Sequence, residues 1–361
     1  MSNPRIKAAF IGQKGAVELR SVESPKLEEG SLLVKMKSSG ICGTDLEKLS
    51  GGYTASNILG HEVAGIVSES RSSEFEPGNS VVPHHHVACG NCYYCRNRAE
   101  TMCEGFHTSN FVPGGFAEEF KVPEYNVTRG GVHKFKDISF DEASFAEPLG
   151  CCIRGLEKAV HSRLDQILDS QVSWYDAPKI KSALVVGAGP IGLLHMELLR
   201  SQFENLKLVA VDIIHSRLEF AEKFEKAEAI VPSGATGDFS EESKKYVDGR
   251  GFDLVIVATG SASAFSESVK CLRKSGTLLL FGAAHKGSNY SLDIQSTLLD
   301  ELSITSSYAT TEREIAEAIS LLESGKVNVK KFITSQFRLD EINEAMQSAR
   351  KEGQVKVLIS D

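Results

Sequence analysis

Cys89, Cys92, Cys95 and Cys103 fall within fifteen residues in the spacing C-x2-C-x2-C-x7-C. Cysteines this close are poor partners for long-range disulfides, and in a reducing compartment such a set holds a metal. Four soft thiolates suit tetrahedral zinc, and a shell closed by four protein ligands leaves no position for a substrate. The expected role is therefore structural, a zinc fixing a lobe that has no core of its own. A set of free cysteines in a loop is one alternative. A nucleic-acid-binding zinc ribbon is another, but Arg96 and Arg98 are the only basic residues inside the cluster.

A second set of residues could bind a dinucleotide. Gly187-Ala188-Gly189-Pro190-Ile191-Gly192 follows an apolar strand-like run and opens a helical pattern, and Asp212 ends the next strand-like run twenty residues after Gly192. Gly187 permits a tight turn, Gly189 lets the backbone approach a pyrophosphate, and Gly192 lets helix and strand pack closely. The helix start, with Pro190 and Ile191, offers free N–H groups to the phosphates. Asp212 would accept hydrogen bonds from the adenosine ribose and repel a 2′-phosphate, which favours NAD over NADP. Arg217, five residues further on, works against that preference.

A third set is dispersed. Cys42 lies in Gly40-Ile41-Cys42-Gly43-Thr44-Asp45, His61 and Glu62 follow Gly60, and Glu147 precedes Pro148. One thiolate, one imidazole and one carboxylate, with a fourth position open, make a catalytic zinc shell. Taken singly each has a plainer role: a buried small cysteine, a satisfied core histidine, an acid at a helix start. Spacing alone does not bring them together. The run His84-His85-His86 invites a further metal site, but successive strand side chains point to opposite faces, so a non-ligand role is expected. Cys151, Cys152 and Cys271 read as apolar fillers, the first two with a rival reading as ligands near Glu147.

The elements that must position these residues divide the chain in two. At 361 residues it is too long for one ordinary core. Up to about residue 150, short β-like runs at 32–37, 63–68, 80–83 and 116–122 are separated by Gly and Pro, as in a compact barrel. Leu156, Val160, Leu164 and Leu168 predict a helix over 156–168, and the polar stretch 169–181 with Trp174 and Pro178 reads as a linker. From Ala183 onward, apolar runs at 183–186, 206–211, 229–231, 253–258 and 277–281 alternate with helical patterns at 191–200, 216–224 and 264–272. That alternation predicts a parallel sheet covered on both faces. A strand-like run at 302–308, a helix at 312–323 and a β-like piece at 355–359 close the chain.

Composition excludes several classes. Lys plus Arg number 40 and Asp plus Glu 48, a net charge of −8 that gives no electrostatic reason for a nucleic-acid or anionic-membrane partner. The longest apolar run, 183–194, is shorter than the ~20 residues of a spanning helix. No apolar stretch follows Arg5 and Lys7 as a signal peptide requires, so a cytoplasmic protein is expected.

Taken together, Gly40–Asp45, Gly60-His61-Glu62, Glu76-Pro77-Gly78, the four-cysteine lobe, Gly114-Gly115-Phe116-Ala117, Glu147-Pro148-Leu149 and Gly187–Gly192 with Asp212 resemble the zinc-dependent medium-chain alcohol and polyol dehydrogenases, the group of sorbitol and threonine dehydrogenases. The likeness implies an α/β architecture: a GroES-like β-barrel catalytic domain, 1–155 and 300–361 with its zinc lobe at about 85–110, plus a Rossmann doubly wound parallel-sheet coenzyme domain, 156–299. It implies two zincs per chain and a catalytic zinc on Cys42, His61 and Glu147, with Glu62 a direct or supporting ligand. Thr44 resembles the relay hydroxyl that takes the alcohol proton. The segment 160–181 looks longer than the family's. The implied reaction moves a hydride from a secondary alcohol to NAD. A polyol or sugar is preferred over threonine, since Gly51-Gly52-Tyr53 looks more like the polyol branch. Asp45 and Tyr53 are candidate contacts to substrate hydroxyls, or else supports of the barrel. A homodimer or homotetramer is implied, with 302–308 near the subunit edge. A retired member that binds zinc and NAD without turnover is the rival of another class.

Overall fold

The computed structural model describes residues 4–51, 58–161, 180–233, 237–284 and 287–361. Tyr53 and the residues 169–179 of the expected linker lie outside them. The chain forms two compact units, Met1–Gly150 with Thr310–Asp361, and Cys151–Ala309. No described helix is long and apolar enough to cross a membrane.

In the first unit, six strands lie in the order Ile333–Phe337, Lys356–Ser360, Leu32–Gly40, Glu62–Ser70, Ser80–Pro83 and Val132–Lys134, and Glu119–Val122 also pairs with Leu32–Gly40. The pairings are antiparallel except between Ile333–Phe337 and Lys356–Ser360. Leu32–Gly40 has three partners and is buried along most of its length, so it loses the in–out alternation of a surface strand. Its Leu32, Val34 and Met36 enter a core with Val63, Val67, Val81, Phe111, Phe116, Phe120 and Val357. The hairpin Arg5–Ile11 with Val17–Glu23 joins this unit through a bridge from Ala8 to Ala117.

The second unit is a six-stranded parallel sheet in the order Glu228–Ile230, Lys207–Val211, Ser182–Val186, Phe252–Val257, Leu272–Leu280 and Ser303–Ser306. All of Ser182–Val186 is buried, as expected of a central strand with helices over both faces. The strand order reverses between Ser182–Val186 and Phe252–Val257, the place where doubly wound sheets bind ligands.

Two boundaries differ from expectation. The helix expected from 156 is Ala146–His161 among the described residues. Pro148 lies in its first turn, where a missing N–H costs nothing, so it helps start the helix rather than preceding it. Residues 303–306 belong to the coenzyme sheet, because Leu278 pairs with Ile304, and the second unit accordingly runs to Ala309.

Candidate active site

The ligand atoms of Cys42, His61 and Glu62 lie within 4.8 Å of one another. Cys42 ends the link from Leu32–Gly40 and immediately precedes helix Gly43–Leu49, while Glu62 opens the neighbouring strand Glu62–Ser70. Gly40 and Glu62 are paired across those strands. Register therefore brings together residues twenty apart in sequence. Asp45 holds the two loops in place: its Oδ2 accepts from the Cys42 N–H at 3.0 Å, its Oδ1 from the Gly60 N–H at 3.1 Å. His61 Nδ1 stands 3.7 Å from Asp45 Oδ1, which puts the carboxylate behind the ring where outer carboxylates stand for metal-bound histidines. Burial opposes ionisation of Asp45, yet His61 and the two backbone donors hold its pKa below the usual carboxylate value. Its candidacy as a substrate contact is corrected here: the carboxylate is fully enclosed and spent on the backbone.

The donor set fits a cation. Burial disfavours charge on His61, but the Cys42 thiolate and Asp45 hold its pKa well above that of an ordinary imidazole, so the surroundings favour positive charge at this spot. Glu147 is not one of the three converging groups. It is buried at the start of its helix, where burial, with the Glu62 charge adding to it, raises its pKa. The carboxylate the fold brings to Cys42 and His61 is Glu62. Thr44 lies half-buried on the first turn of Gly43–Leu49.

Sequence reasoning missed Lys356. This buried lysine on Lys356–Ser360 forms an ion pair with Glu62 and donates to the Ile41 carbonyl at 3.2 Å. Burial works against its charge, but Glu62, Cys42 and Glu147 together raise its pKa. A side chain at Gly40 would meet both members of this pair, with its Cβ 2.6 Å from Lys356 Cε, so only glycine leaves them room. The available signal was one charged residue inside the apolar run Val355-Lys356-Val357-Leu358-Ile359.

At the four-cysteine lobe all ligand sulfurs lie within 4.8 Å of each other. Cys92 and Cys95 are 3.5 Å apart and Cys89 and Cys95 3.9 Å, against about 3.8 Å for the edge of a zinc tetrahedron with ~2.3 Å bonds. The Asn91 N–H draws the Cys89 thiol down to about 6, while burial pushes Cys95 up to about 12 with its neighbours' sulfurs adding to the effect. Four thiolates here need a cation among them.

In the coenzyme unit, helix Pro190–Gln202 begins at the glycine loop with Gly189 as its N-cap. A Cβ at Gly192 would run into the Gly187 carbonyl, whereas at Gly189 the nearest atom is Arg217 Nη1 at 3.8 Å, leaving the helix start open to a phosphate. Asp212 is at the end of Lys207–Val211 and accepts from the Ala188 and Ile214 N–H groups at 2.7 and 2.8 Å, with Arg217 Nη1 3.7 Å away. Cys152 and Cys271 are wholly buried, and burial raises the Cys271 thiol to about 12, in keeping with filler roles; Cys151 is partly exposed.

Two family models match the chain, an alcohol dehydrogenase GroES-like domain over residues 28–131 and a zinc-binding dehydrogenase domain over 190–324. They cover the metal-spaced residues of one unit and, from Pro190 onward, the helix that opens at the glycine loop of the other. The chain belongs to the zinc-dependent medium-chain alcohol and polyol dehydrogenases. Among its relatives are D-arabinitol dehydrogenase 1 of Uromyces fabae, 26% identical over 93% of this dehydrogenase and 91% of that one, and an alcohol dehydrogenase of Geobacillus stearothermophilus, 29% identical over 96% of each. The structure of alcohol dehydrogenase TADH from Thermus sp. ATN1 superposes with a TM-score of 0.83 at 26% identity, covering 98% of this chain and 99% of that one.

Proposed function

We infer that this dehydrogenase oxidises a secondary alcohol, a polyol or sugar, by passing its hydride to NAD. The convergence of Cys42, His61 and Glu62 carries the reading. These three would hold the catalytic zinc, and the four-cysteine lobe would hold a second, structural zinc. Zinc supplies Lewis acidity toward the alcohol oxygen. Thr44 Oγ1 accepts the proton that the alcohol gives up while passing its own hydroxyl proton on toward solvent, and Asp45 keeps Cys42 and His61 in place from behind. Lys356 pairs with Glu62 and orients it. Gly189, Pro190, Ile191 and Gly192 receive the pyrophosphate. The Asp212 carboxylate suits the ribose hydroxyls and repels a 2′-phosphate. A polyol is favoured by the relative that acts on D-arabinitol.

The test is formation of reduced nicotinamide against polyols, sugars, simple alcohols and threonine, with NAD and NADP in parallel. Turnover of a polyol or sugar with NAD is expected. Threonine as the sole substrate would replace the polyol assignment, and a preference for NADP would overturn the role of Asp212. An inactive protein that still holds zinc and NAD would be a retired member of the family.

A homodimer or homotetramer fits the rim of the coenzyme sheet. Ser303–Ser306 is an edge strand, and beside it in sequence, helix Ile294–Leu299 exposes Ile294 and Leu298 at 77% and 74%. An unpaired strand edge with apolar residues nearby invites a second copy. Sedimentation at micromolar concentration is expected to show at least a dimer; a monomer there would refute it.

A further inference from the structure

The four-cysteine lobe is enclosed on one side and open on the other. Cys103 is buried, and a Cβ at the nearby Gly105 would stand 3.6 Å from its sulfur and 2.9 Å from the Tyr125 hydroxyl, so that side is filled. Cys89, Cys92 and Cys95 are half-buried, which leaves their side of the cluster within reach of water and competing ligands. Asn91 stands on that side: it is exposed, and its amide Oδ1 lies 3.0 Å from Cys89 Sγ. Local structure holds it there. Gly90, at φ 77°, turns the chain between Cys89 and Asn91 in a conformation that favours glycine. From the end of helix Tyr93–Arg96, Arg96 Nε donates to the Asn91 carbonyl at 2.8 Å. One of the two basic residues inside the cluster is thus turned onto the lobe's own backbone.

What this contact does depends on the state of the sulfur. A thiol donates to the amide oxygen. A zinc-bound thiolate has no proton to give, and an amide oxygen beside it would meet a like charge. A half-turn about the Asn91 Cβ–Cγ bond exchanges Oδ1 and Nδ2 and presents an N–H donor to the same sulfur. Zinc held by four thiolates carries a net charge of about −2, and its departure requires the thiolates to give up their bonds to the metal by protonation or exchange. A hydrogen bond to the sulfur stabilises its anionic, metal-bound form, and the Arg96 cation beside the loop acts in the same direction.

We propose that Asn91 guards the lobe's metal, its Nδ2 donating to the zinc-bound Cys89 thiolate, so that zinc leaves this lobe more slowly than it would leave four thiolates with no such donor. This rests on the reading of the lobe as a structural zinc site. Outer groups that hydrogen-bond to metal ligands change metal affinity by roughly 10–100-fold.

The test is the rate at which zinc passes to a chromogenic chelator. It is run on the full chain carrying Cys42→Ala, whose remaining zinc is the lobe's, with Asn91 intact or replaced. Asn91→Asp keeps the shape of the side chain but offers only oxygens, whereas Asn91→Ser restores a donor. Asn91→Asp is expected to release zinc about tenfold or more faster than its background, and Asn91→Ser to recover part of the difference. With cobalt in place of zinc, the sulfur-to-metal charge-transfer band is expected to move to longer wavelength in Asn91→Asp, because a sulfur without its hydrogen bond holds its electrons less tightly. A role in loop packing alone would leave that band where it is. Equal release rates, or a band that does not move, would overturn the proposal while leaving the lobe zinc in place. Cys42→Ala protein that holds no zinc would overturn the lobe assignment and this proposal with it.

Discussion

Cys42→Ala is expected to yield a folded chain that binds the dinucleotide as the parent does, holds one zinc fewer than the parent protein, and has lost roughly three to five orders of magnitude in kcat/KM. The size of the effect follows from what the position does. Cys42 supplies the sulfur of the three-residue set, and its removal leaves one imidazole and one carboxylate, too few for a tight site. The loop should stay in place, because Asp45 still accepts from the backbone N–H of residue 42. Zinc analysis and initial rates on one preparation check it. A zinc content still at the parent value, or activity within about tenfold of the parent, would remove Cys42 from the catalytic set.

Cys103→Ala is expected to do the reverse. It is the most buried of the lobe cysteines, and its sulfur accepts from the Cys89 N–H at 3.4 Å. The lobe's own elements are only the four-residue helix Tyr93–Arg96 and the single turn Glu100–Met102. So little regular structure makes metal binding the main source of order there. Structural zinc contributes ~10–16 kcal/mol to the folding of isolated fingers. Here part of that falls on the lobe alone, and we expect the melting midpoint to drop by roughly 10 °C or more. Activity per remaining catalytic zinc should survive at low temperature. Differential scanning calorimetry with zinc analysis decides it, and a midpoint within about 2 °C of the parent's would mean that the lobe stands without its metal. The two variants thus separate a zinc that serves the reaction from one that serves the fold.

How much could be read in advance tracks how local each feature is. The lobe cysteines lie within one short segment, so spacing alone was enough to group them. The glycine loop and Asp212 are separated by a single helix whose pattern was plain in the sequence. Cys42, His61 and Glu62 needed the register of Leu32–Gly40 against Glu62–Ser70, which no spacing encodes, and their grouping came from family resemblance. Glu62 rather than Glu147 converges on Cys42 and His61 through that same register, and its ion-pair partner Lys356 lies almost three hundred residues downstream. Asp45 looked like a substrate contact because its type and position suited one, but the Cys42 and Gly60 N–H groups had already claimed both oxygens. Burial and backbone hydrogen bonding are the quantities a linear pattern hides.

The pairing of Lys356–Ser360 with Leu32–Gly40 also has a bearing on biosynthesis. The coenzyme unit is continuous in sequence, Cys151–Ala309, and is complete while the last strand of its companion is still unmade. Domains fold as units from the N-terminal side as the chain emerges. Until Lys356 leaves the ribosome, the carboxylate of Glu62 has no counter-charge in its buried place. A partly made polypeptide can therefore own a finished nucleotide fold and still lack a settled reaction centre, so that catalytic competence waits for the strand that carries Lys356.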